Sequence, residues 1–181
     1  MNLGECALDE CSDSEKAKRW LVNDSVKPVP DGYHTVTPYL LLRGAAAAME
    51  FYRKAFGAEE VLRLQGPDGM IGHAEIRIGN SHVMMADEVP EMDYLGPQSR
   101  GGTTVSLLVY TEDVDALFDQ AIAAGATELK PLCDQFYGDR SGTVTDPWGH
   151  IWTLSTHIED LTQEEVDRRF RELFGDEPAS E

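Results

Sequence analysis

The sequence predicts an α+β fold of two βαβββ modules, each contributing a curved mixed sheet to one cavity. Three observations predict it. A strand–helix–three-strand pattern occurs twice, at a spacing of about 68 residues, the separation of Gly57 and Gly125. The two helix ends match in their letters, Phe56-Gly57-Ala58 and Ala124-Gly125-Ala126. Turn residues punctuate every expected strand end.

The elements follow in order. Residues 1–32 read as an extension: Ser12-Asp13-Ser14-Glu15 is a cap for a short helix with Trp20, Leu21 and Val22, and Pro28, Pro30, Asp31 and Gly32 break the chain. The compact domain is expected over 33–158. Its first module, 34–87, opens with a strand over His34–Leu42, rich in β-branched and aromatic residues. A helix over Ala45–Phe56 carries Ala48, Met49, Tyr52 and Ala55-Phe56 on one face and stops at Gly57. Strands are then predicted over Glu59–Leu64, Met70–Ile78 and His82–Asp87, joined by hairpin turns at Gly66–Gly69 and Gly79-Asn80.

A polar loop, 88–102, links this to a second module, 103–157. There the prediction is a strand over Thr103–Tyr110, a helix over Val114–Ala124, and strands over Thr127–Leu132, Gly142–Thr145 and Ile151–Thr156. Asp146-Pro147-Trp148-Gly149 forms the last turn. Residues 159–181 read as an accessory helix and tail, with a capping box at Thr162-x-x-Glu165 and a Val166, Phe170, Leu173, Phe174 stripe.

Composition bounds the function. The hydrophobic fraction of 41% and charged fraction of 27% are ordinary for a soluble domain. No apolar run nears the ~20 residues of a membrane helix, and the acidic N-terminus lacks a secretory pattern, so a cytoplasmic location and no membrane partner are expected. The net charge of −18 disfavours nucleic acid and favours solubility or a cationic ligand. Cys6, Cys11 and Cys133 are expected to be free thiols.

Candidate site residues fall in two groups. Alternation puts His73, Glu75 and Arg77 on one strand face, with His73 and Glu75 about 7 Å apart. Such a pair orients a ligand or moves a proton, or else makes a structural hydrogen bond. Gln135, Phe136, Tyr137, Asp139 and Arg140 form a mixed aromatic and polar loop: Tyr137 suits stacking on a planar ligand and Arg140 suits a carboxylate, or the loop is a tight turn held by Asp139 and Arg140. Trp152 is expected in the core, out of phase with Thr153.

Met49-Glu50-Phe51-Tyr52-x-x-x-Phe56-Gly57 and Asp146-Pro147-Trp148-Gly149-His150-x-Trp152 resemble two motifs of the vicinal-oxygen-chelate superfamily, the glyoxalase and bleomycin-resistance type. The resemblance covers residues 34–157. His73-Ala74-Glu75, Met84–Asp87 and Asp134–Gly142 resemble its PhnB-like branch. The resemblance implies small-molecule binding, a homodimer and, in its enzymes, a divalent metal held by four strand residues. Anchored on the motifs, those positions fall on Thr37, Met85, Ser106 and Thr153, none an ordinary ligand, and neighbours one residue away fare no better. Asp87, expected on the face of Met85, is the nearest carboxylate. No cofactor is therefore expected, and a metal-independent small-molecule binder is the leading reading. The alternative is a lyase, isomerase or dioxygenase around His73, Glu75 and Asp87, with a displaced divalent metal or acid–base chemistry alone.

Overall fold

A computed structural model of the protein describes residues 26–175. The expectations for Cys6, Cys11, the Ser12–Glu15 cap, Trp20–Val22 and the tail from Asp176 lie outside the described residues. In chain order the elements are β1 (Tyr39–Leu42), α1 (Ala45–Phe56), β2 (Glu59–Gln65), β3 (Ile71–Ile78), β4 (Ser81–Asp87), a 3-10 turn (Pro90–Met92), α2 (Pro97–Arg100), β5 (Ser106–Tyr110), α3 (Val114–Ala124), β6 (Thr127–Asp134), β7 (Asp139–Thr145), β8 (Ile151–His157) and α4 (Gln163–Phe174).

Two four-stranded mixed sheets result, ordered β1-β4-β3-β2 and β5-β8-β7-β6, and they do not close on each other. In each, the first strand lies parallel to the fourth and the others pair antiparallel. A parallel pair needs a crossover, and each module's helix lies in it. No helix among the described residues is long and apolar enough to cross a membrane.

Each sheet has a helix side and an open side. In module one, Leu40, Leu42, Ala74, Ile76, Val83 and Met85 are buried with the α1 face made by Ala45, Ala48, Met49, Tyr52, Ala55 and Phe56. That face repeats at helical spacing, and Gly57 ends the helix in the left-handed region at φ 64°. In module two, Val144, Trp152 and Leu154 are buried with Val114, Phe118 and Ala121 of α3. Trp152 is therefore a core residue, as its phase relative to Thr153 predicts.

The Asp146 turn joins the modules. Its buried carboxylate accepts from the Tyr52 hydroxyl of α1 (2.6 Å), the Trp152 indole (3.0 Å) and the Trp148 and His150 amides (2.9 Å each). Trp148 donates across the seam to the Arg43 carbonyl (2.7 Å) and packs edge-on against Phe51 (5.7 Å).

Three strand starts differ from expectation by more than one residue. β1 begins at Tyr39, not His34, because Pro38 accepts from Met84 (2.9 Å) but has no N–H to donate. β5 begins at Ser106 because Thr103 turns its hydroxyl onto the Val105 backbone (3.0 and 3.2 Å). β7 begins at Asp139, because a tight turn closes with Gln135 N–H to the Asp139 carbonyl (2.7 Å), drawing Asp139 and Arg140 from the expected loop into the ladder.

Candidate ligand-binding site

On the open side of the first sheet the register brings Tyr39 beside Met84, Met84 beside Glu75, Glu75 beside Leu62 and His73 beside Leu64. The predicted pair His73 and Glu75 meets directly: His73 Nε2 lies 3.0 Å from Glu75 Oε1. The Tyr39 hydroxyl lies 3.0 Å from His73 Nδ1, and the Tyr33 hydroxyl donates to Glu75 Oε2. Burial pushes the Glu75 carboxyl up, but the Tyr33 and His73 hydrogen bonds outweigh it and hold the pKa below its ordinary value. His73 thus bridges the Tyr39 hydroxyl on Nδ1 and the Glu75 carboxylate on Nε2, and the tautomer with its proton on Nε2 donates to Glu75 and accepts from Tyr39.

Next to this network lies a hollow of about 580 Å³, walled by Tyr39, Leu41, Met70, Ala86, Met92 and Tyr94. Its volume falls within the roughly 300–1,000 Å³ usual for small-molecule sites. The linker forms one wall. A bridge pairs Val89 with Tyr94, and Glu88 pins the loop by accepting from Gly96 N–H (2.7 Å), Ser99 (2.8 Å) and Arg43 (3.1 Å). Sequence reasoning missed Met92 and Tyr94 because no periodicity marks a loop. The Val89…Tyr94 pair of large apolar residues in a polar segment is the signal that could have found them.

Asp87 does not join His73 and Glu75. It lies on the helix side with Met85, one residue out of phase with the open side. Its carboxylate accepts from Gly44 N–H (2.7 Å), Ala45 N–H (2.8 Å) and Ile71 N–H (2.7 Å), satisfying the first amides of α1. Asp87 still lines the hollow.

The other predicted residues sit in module two, around the β6–β7 turn. The Arg140 guanidinium is committed to Asp115 (2.7 Å) and Asp134 (2.9 Å), whose bonds raise its pKa. Gln135 donates to Cys133 Sγ (3.1 Å), and the Tyr137 hydroxyl lies 3.5 Å from that of Ser141. Phe136 packs on Phe170 and Phe174 of α4 (5.6 and 6.1 Å). The arrangement is a turn anchored to the C-terminal helix.

The open side of the second sheet carries a network that sequence reasoning did not assemble. Buried Asp139 accepts from Ser155 (2.9 Å) and Tyr110 (3.1 Å) on Oδ2, and holds His157 Nδ1 at 2.8 Å on Oδ1. His157 Nε2 reaches Asp160 (3.0 Å). Bonds to Asp139 and then Asp160 raise the His157 pKa. The signal was a run of polar residues at period two, Asp139, Ser141 and Thr143 against Thr153, Ser155 and His157.

Of the four glyoxalase-type metal positions, Ser106 and Thr153 face the open side of sheet two. Thr37 precedes β1, and Met85 is buried against α1, which corrects the expected phase: the open-side residue of β4 is Met84. Among the described residues no group of three or more His, Cys, Asp or Glu side chains is placed to hold a metal ion. These side chains do not fit a divalent metal at the glyoxalase positions.

Known proteins bear on this geometry. An uncharacterized protein of Mycobacterium bovis is 43% identical over 134 residues, 72% of this chain and 88% of its own. The solved structure of TioX from Micromonospora sp. ML1 is 29% identical with a TM-score of 0.56, covering 69% of this chain and 99% of that one. The PhnB protein from Bacillus cereus shares the fold at 24% identity and a TM-score of 0.55, over 68% and 99% of the two chains. The profile of one superfamily matches residues 34–154, which span both modules and both motifs. The chain belongs to the glyoxalase/bleomycin resistance protein/dioxygenase superfamily.

Proposed function

We propose that this protein is a metal-independent small-molecule binder that sequesters a cationic aromatic compound on the open side of its first sheet. The observation that carries the reading is the hollow beside Tyr39: an aromatic and methionine-lined volume whose Tyr39 hydroxyl reaches His73 and, through that ring, the Glu75 carboxylate. Tyr39 and Tyr94 offer ring faces to a cation. Met70 and Met92 adapt to irregular ring shapes. The net charge of −18 draws cations toward the molecule. We read the protein as a homodimer, as the family implies; light scattering on the purified chain, giving the mass of one chain or two, checks this.

The test uses the full chain after dialysis against a chelator, with phenethylamine as cationic probe and benzoate as anionic control. Phenethylamine raises the melting temperature with concentration, by about 2–4 °C for each kcal/mol of binding, and chelator leaves the rise unchanged. Tyr94→Ala reduces it. A rise that appears only with added divalent metal contradicts the reading. A second reading, an enzyme of the superfamily using acid–base chemistry, is favoured by the 3.0 Å His73–Glu75 contact alone; turnover that fails in His73→Gln marks it.

A further inference from the structure

A chain segment, residues 30–37, crosses the open side of the first sheet without joining its ladder. Its turn closes with Tyr33 N–H to the Pro30 carbonyl (3.1 Å), and Gly32 takes the left-handed φ of +86° that this turn requires. His82 Nδ1 meets the Gly32 carbonyl at 2.9 Å. Tyr33 then lies flat on the His82 ring, with centroids 4.1 Å apart and planes 14° apart, and its hydroxyl donates to Glu75. Beneath the segment remains a cavity of about 450 Å³, bordered by Pro28, Pro30, Tyr33, His34, Glu75 and Met84. Glu75 is only 7% exposed, whereas Val36 further along the segment is 83% exposed.

The two sheets differ in the source of the phenol on the buried carboxylate. On Asp139 it is Tyr110, a residue of strand β5 fixed in the ladder beside Ser155. On Glu75 it is Tyr33, delivered by a segment outside the sheet. A ring that stacks on an imidazole and gives one hydroxyl proton to a buried carboxylate is how a small phenol would bind here. A segment with few buried contacts opens at low free energy.

We propose that Tyr33 is a built-in occupant of a phenol-binding position on the first sheet. A small phenol takes that position when residues 30–37 lift, placing its hydroxyl on Glu75 and its ring on His82. The proposal rests on the reading that this open side binds small molecules. It adds a ligand class, a ring with one hydrogen-bond donor, and a competitor within the chain.

The experiment uses full-length wild type and Tyr33→Ala, labelled with ¹³C at the methionine methyls, with p-cresol as the probe. Met84 borders the cavity under the segment, while Met70 and Met92 wall the neighbouring hollow. Millimolar p-cresol is expected to raise the melting temperature of Tyr33→Ala by about 2–4 °C, to move the Met84 methyl, and to do much less to wild type. Glu75→Gln in the Tyr33→Ala background is expected to weaken p-cresol about tenfold, the loss of one charge-assisted hydrogen bond. Equal effects on wild type and Tyr33→Ala overturn the proposal. So does movement of Met70 and Met92 without Met84, an outcome that leaves the hollow as a ligand site. Silence of all three methyls in Tyr33→Ala also overturns it, and phenethylamine acting on Met70 and Met92 then decides the hollow separately.

Discussion

The two modules share strand order, pairing and helix-side packing, yet their open sides carry different chemistry. The second sheet presents Ser106, Ser141, Thr143, Thr153 and Ser155 beside the exposed Leu108 and Tyr110, with Thr143 and Thr153 hydroxyls 3.2 Å apart and both Ser155 and Tyr110 on Asp139. The first presents Tyr39, Leu62, Leu64, Met84 and a single His–Glu pair, with Leu64 and Tyr39 about half exposed at 55% and 49%. A hydroxyl-rich face that satisfies its own hydrogen bonds gains little from a ligand. An apolar face that leaves rings and thioethers in water gains from covering them. This difference supports the proposed ligand site on module one, while on module two Asp139 ties Ser155, Tyr110 and His157 to one another.

The largest expected effect lies at the seam that holds this pair of faces in one molecule. Asp146→Ala removes the acceptor for Tyr52, Trp152 and two amides, all of them buried or nearly so. Denaturant unfolding is expected to show a loss of about 3–5 kcal/mol, because donors from both modules lose their partner at once. A loss near zero would mean that the modules hold together without that carboxylate.

Next in size is a contrast between glycines. A Cβ on Gly142 would come 2.7 Å from the Phe118 ring, whereas one on Gly72 meets nothing closer than the Leu64 carbonyl at 3.8 Å. Gly142→Ala is expected to cost about 1–3 kcal/mol by overpacking, and Gly72→Ala to stay within about 0.5 kcal/mol. Equal costs by thermal melting would remove the asymmetry.

The smallest effect is on titration. Asp139 first, then Asp160, raises the His157 pKa, so this contribution to stability is full below the unfolded value near 6.5 and is lost as pH rises through the folded value. Glu75 and Asp139 are depressed, so theirs is full above unfolded values near 4.5 and 3.8 and is lost as pH falls. Module two therefore responds to pH on both sides, and module one's Glu75 only on the acid side. Asp139→Asn is expected to lower the His157 pKa toward its ordinary value in an NMR titration. An unmoved His157 would detach it from Asp139.

Much of this architecture was legible in the sequence, because period two and period 3.6 are local signals. Both long helices of the two modules fall where glycines and apolar faces place them, and His73 meets Glu75 as alternation requires. Phase was less legible. Met85 and Asp87 were expected on the open side, but a pattern of Met84, Met85 and Ala86 gives no polar residue to set the phase of β4; burial against α1 sets it. Arg140 and Tyr137 were read from composition as recognition groups or as parts of a tight turn, and only folding shows that Asp115 and Asp134 pair with Arg140 and that α4 packs on Phe136. Tyr33 was invisible as a site residue because its partner, Glu75, is 42 positions away. No local pattern encodes such a contact.

The central claim is that module one, without metal, holds the ligand. The most direct measurement is a ¹³C-methyl spectrum of methionine-labelled, chelator-treated protein titrated with phenethylamine. Met70 and Met92 line the hollow, and Met49 on the buried face of α1 and Met85 packed beneath that helix serve as internal controls. Saturable movement of the Met70 and Met92 methyls, with Met49 and Met85 still, is the predicted result. Unmoved Met70 and Met92 methyls, or movement that requires added divalent metal, would contradict it.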